Sequence, residues 1–144
     1  MKREETAVFI GHRTVYRNIL EEVDRAIINA VESGVNTFLN GGMGHFDILC
    51  AWRFNILQSK YPHIEQYLVL PYRNYKNYDR QLFAKIIYPN SEIINYRSAI
   101  PRRNEWMVQN SSYAICYVGK TTGGAVKTYG KAKMEGLRIT NIPL

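Results

Sequence analysis

Two short stretches of the chain hold residues whose types and spacing suit chemistry on an anion. In the first, Asn40 is followed by Gly41, Gly42, Met43 and Gly44; in the second, Thr121-Thr122 is followed by Gly123, Gly124 and Ala125. A phosphate binds where backbone N–H groups are free at a helix N-terminus, and glycine lets it come close. Each stretch lies between an apolar, strand-like run and a helical pattern, so the two loops would bracket one ligand. Neither is a standard fingerprint. GGMG is not GxGxxG, and the lysine of GKTTGG stands at the wrong end for a P-loop. If the first loop cradles the ligand, Gly42→Val should remove binding and leave the fold largely intact.

The remaining candidates carry two readings each. His12 suits a general acid or base, or a hydrogen-bonding histidine. His45 begins a helix and His63 follows Pro62 in a turn. Asp47, in the first turn of its helix, either favours the helix dipole or holds a ribose hydroxyl. Arg102 and Arg103 suit phosphate pairing, at a helix start where cations oppose the dipole. Tyr72, Tyr75 and Tyr78 are spaced for surface packing or for stacking on a base. No histidine and carboxylate set has metal-ligand spacing, so neither metal nor cofactor is expected. No Ser-His-Asp or Cys-His pattern is recognisable.

The elements that must position these residues alternate. The chain reads as strand Thr6–Ile10, helix Arg17–Val31, strand Asn36–Leu39, helix Phe46–Leu57 and strand Gln66–Leu70. It continues as helix Asn77–Tyr88, strand Glu92–Asn95, helix Arg102–Gln109, strand Tyr113–Val118, helix Gly124–Glu135 and strand Arg138–Ile142. The runs VFI, YLVL and AICYV are near-continuously apolar, as strands covered on both faces are. The pattern predicts a single α/β domain over residues 1–144. Its sheet is doubly wound, mainly parallel and Rossmann-like, with helices on both faces. Ligands bind such sheets at the strand carboxyl ends. That selects Gly11-His12-Arg13, Asn40–Gly44, Pro71-Tyr72-Arg73, Tyr96–Arg103 and Gly119–Ala125.

The chain has 144 residues, 46% hydrophobic and 22% charged, in the ordinary range for a globular domain. No apolar run reaches the ~18 residues of a membrane span. MKREETAVFIGHR lacks the apolar stretch of a signal peptide. Cys50 and Cys116 sit in apolar runs, which fits buried free thiols in a reducing cytoplasm. A net charge of +7 calls for an anionic partner, nucleic acid or phosphate ester.

Four motifs occur in order: VFIGHR, FLNGGMGHFD, RRNEWMVQNSSYAICYV and TGGAVKTYGKAKMEG. Together they resemble the SLOG superfamily, the Rossmann-like nucleotide-binding group that includes DprA-like proteins and Lonely Guy phosphoribohydrolases. Within it the chain resembles the small bacterial and phage branch related to YspA and YpsA. The resemblance implies a nucleotide-type ligand in the crevice. GGMG would be the first glycine motif and Thr122–Ala125 the second, cradling phosphate. Arg103, Asn104 and Met107 would match the RN..M helix that faces the pocket. The Lonely Guy enzymes carry PGGxGTxxE, whose glutamate serves N-glycosidic cleavage; such a carboxylate stabilises an oxocarbenium-like centre. Here Ala125–Lys131 contains no acid and the next is Glu135. Asp47 and Glu105 are the substitutes at hand, with Arg103 as their cationic partner.

Three functions follow. The first is a sensor or sequestering protein for an ADP-ribose-type or cyclic nucleotide. The second is a nucleoside-monophosphate phosphoribohydrolase. The third, ranked last, is nucleic-acid binding, because the basic residues are scattered. The resemblance also implies a homodimer or higher homo-oligomer.

Overall fold

A computed structural model describes residues 1–89 and 95–144. In chain order the elements are β1 (Thr6–Gly11), α1 (Leu20–Glu32), β2 (Thr37–Asn40), α2 (His45–Gln58) and β3 (Glu65–Val69). Then follow β4 (Lys85–Ile87), α3 (Tyr96–Gln109), β5 (Tyr113–Tyr117), α4 (Gly124–Met134) and β6 (Arg138–Asn141). The strands form one six-stranded sheet in the order β4-β3-β2-β1-β5-β6. Every pairing is parallel. Among the described residues, no helix is long and apolar enough to cross a membrane.

Alternation along β1 decides which helices cover which face. Ala7 and Phe9 pack with Val23 and Ile27 of α1 and with Phe46, Cys50 and Phe54 of α2. Val8 and Ile10 pack with Met107 and Val108 of α3 and Ala132 of α4. Phe38 lies between Phe9 and Phe54, with ring centroids 5.8 and 5.2 Å away. Burying each such side chain contributes about 1.5–3 kcal/mol. Both cysteines are buried free thiols, and burial pushes the Cys116 thiol up to about 12, which leaves it inert.

The sequence reading fails between Asn77 and Tyr88. In place of a helix, Arg80–Leu82 makes one 3-10 turn, and Lys85–Ile87 runs as β4 beside Tyr67–Val69. Asp79 caps that turn by accepting from the Gln81 amide at 3.1 Å. The buried Gln66 draws the segment onto the sheet. Its Nε2 donates to Ala51 O and Leu82 O, each at 3.0 Å, and its backbone carbonyl accepts from Ala84 N at 2.9 Å. The strand expected over Glu92–Asn95 lies outside the described residues except for Asn95, which instead caps α3 by accepting from Arg97 N at 3.0 Å. Helix α3 therefore starts before Pro101, not after it, and holds the proline inside. The missing N–H leaves the Arg97 carbonyl without its helical donor. Helix α1 begins at Leu20 rather than Arg17, and Asn18 Oδ1 accepts from the Leu20 amide at its start, at 3.0 Å.

Candidate functional site

The direction of strand-to-strand travel reverses at β1, which has β2 on one side and β5 on the other. At the carboxyl ends of β1 and β5 lies a cleft of about 360 Å³. A parallel sheet leaves its crevice at this point. Its walls come from Phe9–Thr14 at the end of β1, from Gly41, Met43 and Gly44 after β2, from the inner stripe of α3, and from residues between Lys120 and Thr128 around the start of α4.

Of the residues singled out in the sequence, Gly11, His12, Arg13, Gly41, Met43, Gly44 and Asp47 line this cleft. So do Arg103, Asn104, Met107, Thr122, Gly123, Gly124 and Ala125. Asn40 and Gly42 stand behind it, Pro71 and Tyr72 beside it, and Arg102 and Thr121 are exposed to solvent. Glu105 is elsewhere. Its carboxylate meets Lys131 Nζ at 3.0 Å on the α3–α4 side, so it is not an acid of the cleft.

The two glycine loops differ in what their amides do. In the first, Asn40 Oδ1 accepts from Gly42 N at 2.8 Å and Asp47 Oδ2 from Met43 N at 3.3 Å. Arg13 O takes the His45 amide at 3.0 Å. Those donors are engaged by the protein's own groups. Gly42 has φ +69, and a Cβ there would stand 2.5 Å from Leu68 Cδ1. Gly42→Val therefore strains the backbone and invades the core, which corrects the expectation that it spares the fold. Gly41 leaves room for the Arg103 guanidinium, whose Cζ would lie 3.1 Å from an added Cβ.

The second loop is open. Gly123, at φ 117, precedes α4 and no side chain caps the helix. The first intrahelical bond runs from Lys127 N to Gly123 O at 3.2 Å, which leaves the amides of Gly124, Ala125 and Val126 without a helical acceptor. A Cβ on Gly123 or Gly124 would meet nothing within 4 Å. Thr128 Oγ1 turns back to Gly124 O at 2.9 Å.

His12 fixes the approach to this loop. Its Nε2 accepts from Gly119 N at 3.0 Å and Lys120 N at 3.3 Å, so the ring is neutral with its proton on Nδ1. Burial, and then the Lys120 charge, hold its pKa below the usual histidine value. A ring so committed is a brace rather than a free base.

Arg103 is the other brace. It is 3% exposed, and Nη1 donates to Val69 O at 2.7 Å and Gly41 O at 3.1 Å. Nε donates to Asn104 Oδ1 at 2.8 Å, and Nη2 reaches the Met43 sulfur at 3.7 Å. Burial lowers its pKa from the ordinary arginine value, and the Asp47 carboxylate offsets part of that. Burial likewise pushes Asp47 up to about 6, against the pull of Arg103 and the loop amides. Arg13, Arg103 and Lys120 line the cleft against the one carboxylate of Asp47, so the cleft is cationic on balance.

Sequence reasoning missed Thr128, Thr14, Phe9 and Ile10, and took in Lys120 and Ile100 only as members of the strand-end segments Gly119–Ala125 and Tyr96–Arg103. Lys120 follows a strand-ending glycine, and Thr128 stands one turn beyond Gly124 on the same face, which are usable signals. Ile100 shares a helical stripe with Arg103, Asn104 and Met107, but only once α3 is started early enough.

No family model matches the chain, and no curated protein matches its sequence. The fold has solved counterparts. DNA processing protein A from Helicobacter pylori, described for its single-stranded DNA binding mode, superposes with TM-score 0.72 at 13% identity over 99% of this chain. DprA from Streptococcus pneumoniae gives 0.71 at 17% identity over 98%. This chain spans 66% and 51% of those two proteins. A structural genomics target, TM1055, gives 0.59 at 13% identity, over 96% of this chain and 72% of that one. The chain thus shares the Rossmann-like fold of these structures over nearly its whole length.

Proposed function

We propose that this domain binds a nucleotide or nucleotide-derived ligand of the ADP-ribose or cyclic type, as a sensor or sequestering protein. The observation that carries the reading is the uncapped N-terminus of α4, open toward a cationic cleft at the β1–β5 crossing. Three amides without helical acceptors and a dipole of the right sign receive the phosphate. Lys120 and Arg13 add charge. Asp47, with its amide-bonded carboxylate, faces the same space and suits a ribose hydroxyl. The test is mass spectrometry of a panel of nucleoside monophosphates, NAD, ADP-ribose and its cyclic isomers, incubated with stoichiometric protein and then released by heat. A ligand that leaves solution and returns unchanged supports the reading; no depletion of any member refutes it.

A second reading, a nucleoside-monophosphate phosphoribohydrolase, is favoured by one observation. Asp47 lines the cleft, and burial pushes its carboxyl up to about 6, the range of a group that serves as acid or base near neutrality. It predicts free base and ribose phosphate in the same experiment, abolished by Asp47→Asn. Base release at the wild-type rate in that variant would remove Asp47 from the mechanism.

A further inference from the structure

The cleft, read in this way, recognises phosphate and sugar; nothing yet touches a base. Beside its Arg103 end stands a group of aromatic rings, of which Tyr75 packs against the core while Tyr72 and Tyr96 do not. Tyr72 and Tyr96 meet edge to face, centroids 4.8 Å apart, and Tyr75 follows at 6.3 Å from Tyr72. Neither Tyr72 nor Tyr96 belongs to a core cluster among the described residues, and Tyr96 is 58% exposed. Tyr96 stands one helical turn before Ile100, which lines the cleft, so the two share a face of α3. Arg103 lies within electrostatic reach of both Tyr72 and Tyr75, and Tyr75 also feels Arg13 and Asp47. Tyr72 and Tyr75, the neighbours of Tyr96, therefore lie near charged groups of the cleft.

Tyr96 is also held in place. Asn74 Nδ2 donates to its hydroxyl at 3.3 Å, and the Tyr72 edge abuts the ring. An exposed ring fixed at the rim of a phosphate-binding cleft presents a flat apolar face to whatever the phosphate carries. Bases stack on such faces whatever their identity.

We propose that Tyr96, backed by Tyr72, takes the base of the bound ligand, so that the ligand class is a nucleoside phosphate and not a sugar phosphate. The assignment rests on the nucleotide reading above and adds to it the part of the ligand that gives selectivity over ribose phosphates. The neighbouring cavity of about 480 Å³, walled by Trp52 and Tyr78, is the competing place for a base.

Calorimetry with ribose 5-phosphate and the four ribonucleoside 5′-monophosphates separates these cases. The wild-type protein should bind its best monophosphate about tenfold or more tightly than ribose 5-phosphate, the scale of one base–ring stack. Tyr96→Ala should erase that advantage, leave ribose 5-phosphate affinity unchanged and keep the wild-type melting temperature. Tyr96→Phe should retain the advantage, because stacking does not need the hydroxyl. Equal wild-type affinity for both ligand types overturns the stacking role while sparing the phosphate site. Binding of neither overturns the assignment of a nucleoside monophosphate base to Tyr96, while depletion of NAD, ADP-ribose or a cyclic isomer in the wider panel still upholds the nucleotide reading. An advantage that survives Tyr96→Ala but is lost in Trp52→Ala puts the base in the neighbouring cavity and overturns the assignment.

Discussion

Gly124→Ala separates ligand binding from folding more cleanly than any change in the first glycine loop. Gly124 is the first residue of α4, and an added Cβ would have no atom within 4 Å. Alanine in a helix is favoured over glycine by about 0.5–1 kcal/mol, and less in the first turn. In a chain of this size that raises the melting temperature by roughly 1–3 °C. The same methyl group stands where a phosphate must approach the amides of Gly124 and Ala125. Loss of one charge-assisted hydrogen bond costs about 1.5–3 kcal/mol, or roughly 10- to 150-fold in affinity. Thermal unfolding without ligand and calorimetry with the ligand found in the panel read the two effects separately. A variant at least as stable as wild type, with affinity reduced at least tenfold, is the expected pair of results. Undiminished affinity would refute the placement of phosphate at α4. The contrasting change, Gly42→Ala, should lower the melting temperature without any ligand present, given its φ of +69 and the 2.5 Å approach to Leu68.

Three further outcomes are expected. His12 accepts two amide hydrogen bonds only while neutral, and its folded pKa is lowered, so its contribution to stability is complete above the unfolded value of about 6.5. That contribution is lost as pH falls through the lowered folded value, and the protection of the Gly119 and Lys120 amides, measured against their intrinsic exchange rates, should fall over that range. Protection already absent at pH 7 would contradict the hydrogen bonding described. Asp47 has the opposite sign: its raised pKa of about 6 means that its ionisation opposes folding, so stability is gained as pH falls from about 6 toward 4. Carbon NMR of the carboxyl should find that titration, and Arg103→Met should move it higher; a titration near 4 in the wild type would refute the burial argument. Glu105→Ala should change stability by less than about 1 kcal/mol, as an exposed pair with Lys131 implies, and leave any ligand binding or cleavage unaffected. A large loss of either in that variant would return Glu105 to the site.

The sheet was legible because its central strands are short apolar runs between turn residues, and three of them could hardly be anything else. Ambiguity arose only where the same kind of run lacked such punctuation: Leu82, Phe83, Ile86 and Ile87 fit a helical stripe as well as a strand. What decides the matter there is Gln66, sixteen residues from Leu82, through bonds that no local pattern contains. The cleft was legible for a similar reason. Glycines and cations at strand ends are visible in sequence, and most of those chosen do converge. What sequence could not show is which amides are already engaged. Asn40 and Asp47 consume the donors of the first loop, and only the folded chain reveals that the second is the open one. Arg103 illustrates the same limit. Its charge suggested a ligand, while its bonds to Gly41 and Val69 show it also ties the ends of β2 and β3 to α3.

The pairing of β1 with β5 also has a consequence for how the molecule comes into being. Ala7 must find Tyr113, and the His12 brace closes on Gly119 across 107 positions of chain. Contacts that distant form late, because the loop between them must first be ordered. During synthesis, at about 5–20 residues per second, β1 waits several seconds with one apolar edge unpaired. Over that interval Val8, Phe9 and Ile10 offer a template to any other extended chain. The cleft has no second wall until α4 emerges, so ligand binding reports that the two halves of the sheet have met.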